Sequence, residues 1–140
     1  MDVYLDASVI VALLANDLFT DRARMFLGSN VLALYVSDYA AAEFASVIAR
    51  RVRTQQLTAT DAQAAFANLD EWVRTFTQFV EAAPHDIATA ASFNRRLDLT
   101  LRAPDAINIA IARRLGLALA TFDTGTAACA TTLGVAVAPT

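Results

Sequence analysis

Short apolar runs that alternate with longer segments of helical period predict an α/β fold, a mostly parallel sheet covered by helices. Two features carry this expectation. The runs VYL, LALYV, FV and LALAT are continuous rather than alternating, as strands buried on both faces require. Helical patterns separate them, so the strands do not follow one another as hairpins would. No internal repeat, low-complexity tract or linker interrupts the 140 residues, and one domain spanning 1–140 is expected.

Val3 to Leu5 reads as a buried strand, followed by a helix from about Ser8 to Asn16. A second helix, about Asp21 to Leu27, leads to a strand over Leu32 to Val36. Asp38 to Val52 carries a helical pattern, with Asp38 as its expected cap. Thr58 and Asp61 have the spacing of a capping box, which opens a helix to about Arg74 with Phe66, Leu69, Val73 and Phe76 on its core face. Phe79 and Val80 mark a third strand.

Pro84 and Pro104 suit first helical turns, where a missing N–H costs nothing. Gly116 closes the second of these helices and Leu117 to Thr121 is the next strand. A last helix runs to Gly134, and Val135 to Val137 forms an edge strand. Asp21 and Asp86 read as helix-capping acids, and Asp98 as a loop acid.

Composition limits the function. The chain is 56% hydrophobic and 18% charged, with net charge -3, so no global basic field attracts a polyanion. All eleven basic residues are arginine, which favours planar, bidentate contacts to phosphate or carboxylate. Cys129, the single cysteine, cannot form an internal disulfide. The N-terminus carries Asp2 and Asp6 without a positively charged lead, unlike a signal peptide. No uncharged apolar run approaches the ~18 residues of a membrane span. A cytoplasmic protein without a membrane partner is expected.

Four acids fall where core segments end or helices begin: Asp6 after VYL, Glu43 in YAAAEFASVIARR, Asp105 in LRAPDAINIA and Asp123 after LALATF. In open parallel sheets, sites form outside the carboxyl ends of the strands, so the four are expected to share one site. At ~5 Å and an effective dielectric of ~20, each pair would repel by about 3 kcal/mol, which calls for a cation. With no lysine and no cysteine or histidine cluster, the expected cofactor is a hard divalent ion, Mg²⁺ with Mn²⁺ as substitute. Such an ion activates water and steadies phosphoryl oxygens, which favours phosphodiester hydrolysis. The lone His85 stands away from every acid motif, so no histidine base is invoked.

VYLDASVIVALL, YAAAEFASVIARR and LRAPDAINIAIARRLGLALATFD, in that order over nearly the whole chain, resemble a PIN-domain protein of the VapC toxin type. The resemblance implies a three-layer α/β/α fold with a central, mostly parallel sheet of four to five strands. It implies a Mg²⁺- or Mn²⁺-dependent endoribonuclease that cleaves tRNA or ribosomal RNA, with a small cognate antitoxin as inhibitor. It further implies a homodimer, and operator DNA contacted only through the antitoxin complex. By position, the catalytic and metal-binding acids are Asp6, Glu43, Asp105 and Asp123, with Ser8 and Thr121 as supporting polar residues; Asn108 is expected to be a third.

The chain departs from that pattern at two places. Asn108 stands where many relatives have histidine, and Thr124 and Gly125 follow the last acid where relatives often carry basic residues. RNA contact therefore falls to sparse arginines. Arg50 and Arg51 form one cluster with Arg53, and Arg102 belongs with Arg95 and Arg96; Arg50 is the first choice, two helical turns after Glu43 on the same face. Phe66, Trp72, Phe76 and Phe79 fit core and dimer packing better than base stacking.

Two enzyme classes that also use acid pockets lack their residues here. A haloacid-dehalogenase-like phosphatase needs a second aspartate two positions after the nucleophile, where Ser8 stands, and a lysine; a response-regulator receiver needs lysine too. The remaining alternative is a non-catalytic PIN-like module that acts only by binding an antitoxin or operator complex.

Overall fold

In the computed structural model, residues 1–29 and 33–140 are described. Strand β1 (Asp2–Leu5) leads to helices α1 (Ala7–Leu14) and α2 (Thr20–Leu27), then β2 (Ala33–Ser37). Helices α3 (Asp38–Arg53) and α4 (Ala59–Phe76) precede β3 (Gln78–Val80). Helices α5 (Pro84–Asn94) and α6 (Ala103–Leu115), β4 (Ala118–Ala120) and α7 (Thr124–Thr132) complete the order. Leu32, expected to begin the second strand, lies outside the described residues.

The sheet order is β3-β2-β1-β4, with every pairing parallel. Continuous apolar strands need cover on both faces, and the strand side chains divide accordingly. Val3, Leu5, Val36 and Ala120 join one core with helices α1 to α4, while Tyr4 and Leu119 join a second with α5, α6 and α7. These are the three layers the sequence predicts. The expected edge strand over Val135 to Val137 is only a parallel bridge from Val137 to Leu119, held by bonds on either side of Leu119.

The chain leaves β1 toward β2 on one side and returns to β4 on the other. The order therefore reverses between β1 and β4, and ligand crevices form at such a switch point. Asp6 follows β1 directly, and its N–H donates to the Ala120 carbonyl at 3.2 Å.

Several expected boundaries differ for local reasons. Helix α1 stops at Leu14, because Asn16 turns to a positive φ of 47°. Ser37, not Asp38, caps α3, with its Oγ accepting the Ala40 N–H at 2.9 Å. Asp38 instead accepts the Ala82 N–H at 2.8 Å, tying α3 to the segment before α5. Asp21 lies in the first turn of α2 without capping it. On α4 the buried stripe is Ala62, Ala65, Leu69 and Val73, and Phe76 points outward. Gly116 ends α6 as expected, at a left-handed φ of 68°.

Asp86 does more than the capping expected of it. Its Oδ2 accepts the Ala83 N–H at 2.7 Å, and both its oxygens meet Arg114 at 2.8 and 2.9 Å. Burial works against ionisation here, but Arg114 and the Ala83 N–H hold the carboxyl below the usual range. The pair joins α5 to α6, and neither residue lines the acid cavity described below.

Candidate functional site

Asp6 sits at the junction where β1 ends and α1 begins. As the N-cap of α1, its Oδ1 accepts the backbone N–H groups of Ser8 and Val9 at 3.0 and 3.3 Å, and the Ser8 hydroxyl as well. The capping role and the site role coincide, since none of these bonds uses Oδ2. Ser8 Oγ in turn accepts the Phe122 N–H at 3.0 Å and stands 3.5 Å from Thr121 Oγ1. Thus Ser8 and Thr121, two of the supporting residues named from the sequence, link the ends of β1 and β4. Burial pushes the Asp6 carboxyl up, and the Ser8 and Thr121 hydroxyls oppose this.

Glu43 reaches the site from the second turn of α3. Its Oε1 accepts from Asn108 Nδ2 at 2.6 Å, and the second Nδ2 hydrogen goes to the Pro104 carbonyl at 3.2 Å. Asn108 Oδ1 accepts the Tyr4 hydroxyl at 2.6 Å. Tyr4 has one proton, so the Ser37 hydroxyl, 2.6 Å away, donates to it. A fully bonded line therefore runs from Ser37 through Tyr4 and Asn108 to Glu43. Burial first, then repulsion from Asp6 and Asp105, pushes the Glu43 carboxyl up to about 7, against the pull of Asn108 and Arg102. Burial likewise raises the Tyr4 phenol, which stays protonated as a donor.

Asp105 enters from the first turn of α6 and pairs with Arg102 at 3.3 Å. Asp123 caps α7, its Oδ1 accepting the Thr126 N–H at 2.9 Å, and stands exposed at the rim. All four acids, Ser8, Asn108 and Arg102 line one cavity of about 420 Å³. Thr121 supports it from beneath, its Oγ1 accepting the Asp123 N–H at 3.1 Å.

The PIN-domain family model matches residues 3–130, from the first residues of β1 to the last helix. The chain belongs to the PIN-domain family.

Several solved structures share the fold. VapC20 of Mycobacterium tuberculosis, a toxin that cleaves the sarcin–ricin loop, is 19% identical over 99% of each chain, with a TM-score of 0.74. FitAcB from Neisseria gonorrhoeae is 23% identical, covering 98% of this chain and 96% of its own, with a TM-score of 0.65. A toxin–antitoxin complex from Klebsiella pneumoniae is 17% identical over 87% of each chain, with a TM-score of 0.62. No curated protein sequence matches.

In this PIN domain the candidate ligands in the cavity are carboxylates, with no histidine or cysteine among its lining residues. Among the described residues, no three histidine, cysteine, aspartate or glutamate side chains form a ready-made metal cage. The arrangement suits a hard ion that keeps several waters and takes one or two carboxylates directly. Asp6, Glu43, Asp105 and Asp123 are the lining residues that could hold such an ion.

The arginines divide. Arg102 lines the acid cavity paired with Asp105, but Arg51 donates to the Ala15 carbonyl at 2.9 Å and holds the end of α1. Arg50 lines a separate depression of about 320 Å³ with Val47, Thr54 and Gln56. Reading the sequence alone misses Tyr4 and Ser37, and also Asp17, Phe19 and Phe122, which line the acid cavity. A tyrosine within an otherwise apolar strand was the available signal, because a buried hydroxyl needs a partner. Phe19 carried none, since it precedes the helix it helps position.

Proposed function

We propose that this PIN domain is a Mg²⁺-dependent endoribonuclease, with Mn²⁺ as substitute, acting as the toxin of a type II toxin–antitoxin pair. The observation that carries the reading is the convergence of Asp6, Glu43, Asp105 and Asp123 on one cavity at the switch point of the sheet. When bound, Mg²⁺ would make a water more acidic and offset charge on the phosphoryl oxygens. The substrate is RNA, with tRNA or ribosomal RNA as the expected class, and its hydrolysis would slow translation.

The chain's own groups have distinct tasks. Ser8 and the α1 backbone fix Oδ1 of Asp6, leaving Oδ2 for the ion. Asn108 fixes Glu43 through Oε1, and the ionised Glu43 accepts a proton beside the reacting phosphate. Asp105 and Asp123 add acceptors from the other two sides, and Arg102 faces the phosphate. The neutral amide of Asn108 takes the place of a histidine by positioning Glu43.

A small cognate antitoxin is the expected inhibitor, inserting a cationic side chain among the acids; the toxin–antitoxin complex from Klebsiella pneumoniae supports such a partner. Homodimerisation, operator binding through that complex and a cytoplasmic setting complete the reading. Among the described residues no helix is long and apolar enough to cross a membrane.

The test is cleavage of structured RNA by protein purified free of partners, with Mg²⁺ or Mn²⁺, against Asp6→Asn. Wild type should cut and the variant should not. Equal inactivity of both, with no divalent ion bound to wild type, would leave the non-catalytic binding module as the correct description.

A further inference from the structure

RNA binding at this cavity has a physical problem. Five acids line it, Asp17 beside the four already described, and Arg102, the one cation among its lining residues, is already paired with Asp105. With net charge -3 for the chain, phosphate attraction contributes little of the affinity for a strand laid here. The other wall of the same cavity is aromatic. Phe19 and Phe122 stack with ring centroids 5.2 Å apart and planes 11° from parallel. Phe122 is 8% exposed, whereas Phe19 is 36% exposed.

Phe19 is held firmly for a side chain at the surface. Asp17 Oδ1 accepts its N–H at 2.7 Å, and Thr20 Oγ1 accepts the Asp17 N–H at 2.9 Å while donating to the Ala12 carbonyl at 2.7 Å. The Arg22 guanidinium lies 5.5 Å from the Phe19 centroid and 4.9 Å from that of Phe122, and donates to the Thr140 carbonyl at 2.9 Å. A ring fixed by its backbone, its neighbour ring and a cation is preorganised for a planar ligand.

We propose that Phe19, backed by Phe122 and Arg22, is a stacking platform for one unpaired base of the RNA strand whose phosphate meets the acids. The proposal rests on the nuclease reading and deepens it: the substrate is single-stranded at the cut, because a base inside a duplex cannot reach the ring. Sequence-tolerant stacking also supplies affinity that the acidic cavity cannot draw from phosphates.

The test uses a short single-stranded oligoribonucleotide carrying 2-aminopurine at successive positions, with Ca²⁺ replacing Mg²⁺ so that binding is read without turnover. Wild type should quench the fluorescence at one position near the cut. Phe19→Leu should weaken binding by about 5- to 150-fold, the range for one base on one aromatic ring. Phe19→Trp should restore it. An abasic residue at that position should weaken wild type and leave Phe19→Leu nearly unchanged.

If Phe19→Leu, folded by circular dichroism, binds and cuts like wild type, the ring serves another purpose, such as a protein contact, and the platform is overturned. In that outcome Asp6-dependent cleavage still stands. If wild type neither binds nor cuts RNA, the nuclease reading and the platform fall together.

Discussion

Replacing Tyr4 by Phe removes a single oxygen from a fully buried ring and isolates the line that holds Glu43. The hydroxyl bonds to Asn108 Oδ1 and Ser37 Oγ, both at 2.6 Å. Without it, the Asn108 carbonyl oxygen loses its buried donor and Ser37 its acceptor, at a cost of about 2 kcal/mol. With an unfolding entropy of about 0.29 kcal/mol/K for this length, Tm should fall by about 7 °C.

The effect on catalysis follows from the same bond. Asn108 no longer has its orientation fixed from behind, so Glu43 loses a constant partner, and kcat should drop with little change in KM. Asn108→Ala should do the same, and the double variant should be less impaired than the two single losses combined, by about 0.5 kcal/mol or more. RNA cleavage under single-turnover conditions and thermal unfolding measure the two consequences. A Tyr4→Phe protein with wild-type Tm and wild-type cleavage would refute the positioning role.

Four further outcomes are expected. Glu43 has an ordinary value near 4.5 when unfolded and about 7 when folded, so the folded state holds the extra proton between them; without divalent ions, stability should fall as pH rises across that window, and Glu43→Gln should flatten the profile measured by Tm. Asp6, raised by burial, acts in the same direction. Mg²⁺ affinity by calorimetry should rise with pH over the same range, with protons released on binding. Arg102→Ala should tighten Mg²⁺ binding by about two- to five-fold at low salt, because this exposed guanidinium competes for Asp105. Asp86→Ala should cost about 1–3 kcal/mol by taking the acceptor from the Ala83 N–H and the partner from the partly exposed Arg114, read by urea unfolding, while RNA cleavage by the folded protein stays near wild type.

The acids were legible because strand ends and helix starts are local events. Asp6 and Asp123 cap helices through bonds to residues two or three places on, and Asp105 lies in a first turn after Pro104. Glu43 was legible mainly through resemblance, since nothing near it in sequence separates it from a solvent-facing glutamate. The failures were also local competitions. Ser37 outcompeted Asp38 as a cap, and Arg51, next to Arg50, found the Ala15 carbonyl rather than the cavity.

The sequence by itself determined the layers and the acid site, because continuous apolar strands must be covered on both faces and parallel strands deliver their carboxyl ends to one edge. Only the tertiary structure decided how that site is held and what stands opposite it. Tyr4 meets Asn108 across 104 positions, and Phe19, just before α2, meets Phe122, just after β4. Such contacts depend on distance in space and on which groups burial leaves in need of partners, and neither has a period or spacing in the chain.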